Sequence, residues 1–174
     1  MENIYLLEGS YLVASPSITQ DGLRGALVYL YQVDRETVSG VIINKPCPEE
    51  KTVGDYLAYP KYLQNRIVWQ GGPNAVERLI AFSHLINGEL HITDRLSKLT
   101  ESQLKQCMFI SGQCIWEVSA LMSQIRSGDW LLVGSNYVLP SGVPAESRIP
   151  YVLKNAGIDF YRLVSQPAAE VTWQ

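Results

Sequence analysis

The segment ALVYLYQV, Ala26–Val33, constrains the fold more than any other stretch of the chain. A strand with water on one face alternates apolar and polar residues, whereas this run is apolar almost throughout. It predicts a strand covered on both faces, and therefore a sheet with packed material on each side. No apolar run approaches the about 18–20 residues that a membrane-spanning helix needs.

The neighbouring segments extend the same theme. SGVIINKP (Ser39–Pro46) follows across the polar turn Asp34-Arg35-Glu36-Thr37, which predicts a hairpin. YLVASP (Tyr11–Pro16), RIVWQGGP (Arg66–Pro73), CMFIS (Cys107–Ser111) and DWLLV (129–133) read as further strands. RLIAFSHL and ELHITD read as two more, joined at Asn87-Gly88, a dipeptide that favours tight hairpin turns. Helical signals are fewer. Thr52 is placed to cap VGDYLAY before Pro60, and Thr100 with Gln103 forms a capping box for ESQLKQ. A helix is expected from about Cys114 to Arg126, with Gly128 just past its end, and another from about Ser147 to Asn155, ended by Gly157. FYRLV is a candidate last strand.

Strands outnumber helices, and the order lacks the regular alternation that builds a Rossmann sheet. The expected class is α+β: a curled, mainly antiparallel sheet approaching a pseudo-barrel, with helices packed outside. Residues 1–174 contain no repeat and no linker that would divide them, so one domain is expected. The 47% hydrophobic content, with ten tyrosines and four tryptophans, supplies a substantial core.

Charge narrows the function. The net charge is −3, and the densest basic grouping, Lys45, Lys51, Lys61 and Arg66, is diluted by Glu49, Glu50 and Asp55. Nucleic-acid affinity rests on clustered cations, so direct nucleic-acid binding is not expected. The start MENIYLLEGS lacks the basic, then apolar, pattern of a secretory signal. Three cysteines without a CxxC spacing form neither a disulfide framework nor a zinc motif. A cytoplasmic location without membrane association follows as the expectation.

The chemistry-bearing residues are sparse. QGGPN (Gln70–Asn74) lacks the phosphate-loop spacing and its Lys-Ser/Thr, so it reads as a turn requiring positive φ. His84 and His91, with Asp94 as the nearest acid, make a thin metal-ligand set, and no cofactor is expected. Cys114 has one argument for reactivity: a helix N-terminus favours the thiolate. Its apolar neighbours Ile115, Trp116 and Val118 argue the opposite way, because burial raises a thiol's pKa. A thiol enzyme using Cys114 with His84 is the alternative reading.

Read in order, Gly9–Pro16, LRGALVYLY, SGVIINKP, VWQGGP, His84, Gly112 with Trp116, and Trp130-Leu131 resemble the YqgE/AlgH family. The resemblance implies a single-domain bacterial cytoplasmic protein with a compact α+β fold. It brings no defined reaction, and one branch is named for transcriptional regulation. This chain departs from the family pattern at Gly25-Ala26, where Arg-Ser is usual, and at Gln32-Val33, where an acid–His pair is usual. It departs again in Gly112-Gln113-Cys114-Ile115-Trp116, where Cys114 replaces alanine, and in Ser119-Ala120-Leu121-Met122, with Gln124 in place of an acid. A divergent, non-catalytic regulatory or binding protein is the resulting expectation, its partner a protein or a small polar or anionic ligand. The matched positions that form the candidate ligand site are Asn44, Lys45, Gly71, Gly72, Pro73, His84 and Trp116.

Overall fold

The computed structural model describes residues 4–58, 60–84, 90–134 and 142–158. Eight strands form one curled, mainly antiparallel sheet: β1 (Tyr11–Ala14), β2 (Leu27–Val33), β3 (Thr37–Ile42), β4 (Val68–Gln70), β5 (Asn74–His84), β6 (Leu90–Thr93), β7 (Met108–Glu117) and β8 (Trp130–Val133). The path runs β6-β5-β7-β3-β2-β1-β8, with β4 pairing beside β7. Among the described residues three α-helices accompany it: α1 (Glu101–Gln106), α2 (Val118–Arg126) and α3 (Arg148–Asn155). The α+β class expected from the sequence, built on a curled, mainly antiparallel sheet, is the observed class.

Both faces of the sheet are packed, as the apolar run of β2 requires. Leu27 and Tyr29 join a cluster with Tyr11, Val13, Val41, Ile43, Phe82 and Ile110, closed by Val152 and Leu153 of α3. Val28 and Leu30 point the other way, into Leu12, Val38, Ile42, Cys114 and Trp130, closed by Leu121 of α2. A third cluster, including Val53, Leu63, Val68, Leu79, Leu104 and Phe109, lies under α1 and the short helical turns at Val53–Asp55 and Lys61–Leu63.

Local chemistry explains several boundaries. In the β2–β3 turn the exposed Asp34 carboxylate accepts from the Glu36 and Thr37 amides at 2.9 and 2.8 Å. Those bonds favour the carboxylate and hold its pKa below the ordinary value. Thr100 and Gln103 exchange the two bonds of a capping box at 2.8 and 3.2 Å. Gly128, at φ +85°, lets the chain leave α2. Its amide and that of Asp129 donate to Ile125 and Gln124, the pattern of a Schellman cap.

One boundary differs from expectation. The helix anticipated from Cys114 begins instead at Val118, and β7 runs through Cys114 to Glu117. Burial alternates there: Cys114 is buried, Ile115 exposed, Trp116 half-buried and Glu117 exposed, a strand's period rather than a helix's. Gly112, at φ +82°, lies within the strand and is not an entry to a helix. The segment VGDYLAY likewise supplies only the single turn Val53–Asp55. FYRLV and the Asn87-Gly88 turn lie outside the described residues, although β5 and β6 pair antiparallel on either side of the latter.

Candidate functional site

The sheet branches at β7. On one edge of this strand, β4 pairs in parallel with Phe109–Ser111, and β3 pairs antiparallel with residues 114–117. Gly71 and Gly72 fill the fork. The Gly71 amide donates to Ser111 and its carbonyl accepts from Ile42, both at 2.8 Å. A Cβ at Gly71 would lie 2.3 Å from the Gly112 oxygen, and one at Gly72 2.3 Å from the Gln113 carbonyl carbon. Glycine is required here because backbone meets backbone. Pro73 then leads out to β5. The sequence reading of a conformationally demanding turn describes this segment, and the demand is close approach as much as φ.

Asn44 and Lys45 follow β3 and turn toward the loop that precedes β2. The Asn44 amide accepts from the Leu27 N–H and donates to the Gly25 carbonyl, each at 2.9 Å. Lys45 Nζ donates to the Gly22 and Arg24 carbonyls at 3.0 and 2.5 Å, and partial burial lowers its pKa. Gln70 donates its amide to the Lys45 carbonyl at 2.9 Å, so Lys45 and the glycine pair are neighbours in the ladder. Trp116 lies in the other half of β7, paired with Val38 and set edge-to-face on Trp130 at 5.8 Å. His84 is at the far end of β5, paired with Leu90, and β7 and β4 stand between its strand and Lys45. The structure thus groups Asn44, Lys45, Gly71, Gly72 and Pro73, and holds Trp116 and the His84 backbone position apart from them. The register pairs Ser83 with His91, so the two histidines are not directly opposed.

A cavity of about 460 Å³ opens elsewhere, over a distortion in β5. Between Asn74, paired with Gln113, and Leu79, paired with Ser111, β5 carries a bulge. Ala75 takes φ +49° within it, and Ser111 Oγ donates to the Val76 carbonyl at 2.5 Å. The bulge carries Arg78 to the cavity, where Tyr31 and Ser39 arrive from β2 and β3, Asp94 from the end of β6 and Gln113 from β7. Tyr31 donates its hydroxyl to Gln113 Oε1, and Arg78 pairs with Asp94. Burial pushes the Tyr31 phenol up, partly countered by the Ser39 hydroxyl and Arg78. Gln32, at the position where the family resemblance has an acid, lines the same cavity. Gln32 and Asp94 were visible as departures or acids in the sequence. Tyr31 and Ser39 lay inside segments that carry the family resemblance and Gln113 inside a departure from it, but nothing in the sequence joined them to Arg78, because the four meet only through strand pairing.

The thiol geometry is that of packing. Cys114 is 3% exposed, with Sγ 3.6 Å from the Gly71 carbonyl, and burial pushes its pKa up to about 12. It sits in a strand, without the helix N-terminus that would have favoured a thiolate.

The comparisons agree with this architecture. The profile of the AlgH-like family, DUF179, matches residues 11–161. A UPF0301 protein of Thiobacillus denitrificans is 26% identical, covering 94% of this chain and 96% of its own length. One from Stenotrophomonas maltophilia is 29% identical over 87% and 90% of the two chains. The solution structure of the AlgH protein from Pseudomonas aeruginosa superposes with a TM-score of 0.72 at 19% identity, covering 92% of this chain and 94% of that one. A crystal structure from Corynebacterium diphtheriae gives 0.64 at 16%, over 82% and 84%. With the profile spanning the sheet from β1 through α3, the chain belongs to the AlgH-like family.

Proposed function

We propose that this protein is a non-catalytic, cytoplasmic binding protein with a regulatory role, including a transcription-related one, and that its ligand is a small polar or anionic molecule. The observation that carries this reading is the convergence of Tyr31, Ser39, Arg78, Asp94 and Gln113 from separate strands on one cavity. A concave site with a few convergent polar groups is the usual form of a small-molecule site, and its volume falls in the usual range. The groups suit recognition: an amide, two hydroxyls and an ion pair.

Two further features support the reading. Of the grouping Lys45, Lys51, Lys61 and Arg66, two members are engaged within the fold and a third is offset by a neighbouring acid. Lys45 and Arg66 donate to backbone carbonyls, and Lys51 pairs with Glu49. Cys47, Cys107 and Cys114 are free thiols, as suits a reducing compartment. No helix among the described residues is long and apolar enough to cross a membrane. The thiol-enzyme alternative gains no support from the position of Cys114.

The test is affinity capture from a small-molecule extract of the native cells, with bound species released by denaturation and identified by mass spectrometry. A compound enriched on the native chain and lost with Tyr31→Phe and Gln113→Leu is the expected result. Equal retention by native chain and variants would remove the site from consideration.

A further inference from the structure

A second cavity, of about 660 Å³, adjoins the first. Its walls are mainly aliphatic: Leu57, Leu63, Leu79, Leu99 and Leu104, with Pro60. The two cavities share Arg78, Asp94 and Arg95 in their linings, so a polar chamber and a hydrocarbon chamber meet at one charged seam. Asp94 is committed to Arg78. The Arg95 backbone amide donates to Thr93 Oγ1 at 3.0 Å, and no hydrogen bond or ion pair of its guanidinium is found among the described residues. Two cations against one carboxylate leave the seam with a positive excess.

We propose that the two cavities form one amphipathic site, and that its ligand is an anion with a hydrocarbon body: a carboxylate whose head meets Arg95 at the seam and whose chain enters the leucine chamber. The inference rests on the binding role proposed above and assigns its ligand class. A neutral lipid makes no use of the exposed Arg95 guanidinium. A small hydrophilic anion leaves the leucine chamber unused. An amphipathic carboxylate satisfies both, with the neighbouring Gln113 and Tyr31 available to hydrogen-bond polar substituents near the head. Transfer of its hydrocarbon from water supplies the non-directional part of the affinity, and the guanidinium supplies the orientation.

The test is calorimetric titration of the full chain with octanoate, octan-1-ol and acetate, alone and with the Arg95→Gln and Leu99→Asn variants. Both variant positions lie outside the buried core, and circular dichroism checks that each remains folded. Octanoate is expected to bind more tightly than either control. Its affinity is expected to fall about tenfold in Arg95→Gln, the loss of one charge-assisted contact, and comparably in Leu99→Asn. Added salt should weaken octanoate and leave octan-1-ol unchanged. Octan-1-ol matching octanoate would overturn the anionic head. Acetate matching octanoate, with no effect of Leu99→Asn, would overturn the hydrocarbon body and leave the polar-site reading standing. Absence of octanoate binding overturns the inference, while the extract experiment independently judges the polar cavity.

Discussion

Gly112 and Gly72 approach so closely that a Cβ on Gly112 would lie 2.2 Å from the Gly72 carbonyl oxygen. Gly112 also has φ +82°, a conformation that L side chains rarely adopt. Gly112→Ala therefore combines a backbone penalty with a steric one against an immobile partner. We expect it to destabilise the fold by about 3 kcal/mol or more, read by urea denaturation. Gly134→Ala is the control. A Cβ there meets nothing within 4 Å, and little change is expected.

The Cys114 thiol gives a pH signature. Its folded pKa, pushed up to about 12, lies above the ordinary thiol value of 9.0. The folded state therefore holds its proton more tightly than the unfolded state. This contribution to stability is complete below the unfolded pKa and is lost as pH rises through the window from about 9 toward about 12. Comparing the native chain with Cys114→Ala, the alkaline fall in stability should be shallower in the variant. Iodoacetamide at neutral pH should modify the half-buried Cys47 in the folded chain and reach Cys114 only after denaturation.

Asn44 and Lys45 brace the approach to β2 from the opposite side of the hairpin. Asn44→Ala removes an acceptor for the Leu27 amide and a donor to Gly25, with an expected cost of about 1–3 kcal/mol. Lys45→Met keeps much of the aliphatic stem and releases the Gly22 and Arg24 carbonyls. Limited trypsin digestion should then cut after Arg24 faster than in the native chain. An unchanged cleavage rate would mean that the lysine does not restrain this loop.

Arg148 is a buried cation at the start of α3, 5% exposed. Its Nε donates to the Val143 carbonyl at 3.0 Å, Nη1 donates to the Ile43 carbonyl, and the guanidinium lies 4.4 Å from the Trp69 ring centroid. Arg148→Ala should cost about 3 kcal/mol, because two acceptors lose a donor and the space is left empty. Arg148→Met refills the volume without the desolvated charge, so it should recover part of that loss. Thermal unfolding of the two variants side by side separates packing from hydrogen bonding.

Much of the scaffold was legible in the chain. β2, β3 and β8 are short apolar runs bounded by turn residues, and the capping box of α1 is a local signal that fixes its own geometry. The start of α2 was not, because Trp116 and Ala120 have the spacing of one helix face while Cys114-Ile115-Trp116-Glu117 also alternates as a strand. What decided between them was the non-local pairing of residues 114–117 with β3. The polar cavity was hidden for the same reason. Tyr31 and Gln113 are distant in sequence and become hydrogen-bond partners only through the order of β2, β3 and β7. By contrast, Asn44, Lys45, Gly71 and Gly72 lie inside the motif segments themselves, and their hydrogen bonds and close backbone approaches are made between those segments.

The β1–β8 ladder has a consequence for biosynthesis. Tyr11 pairs with Val133, so β1 waits for a strand made far later along the chain. Until Trp130–Val133 leaves the ribosome, that flank of β1 offers unsatisfied amides and carbonyls to any passing chain. The emerging polypeptide therefore cannot complete the sheet progressively, and the open edge is an aggregation hazard for that interval.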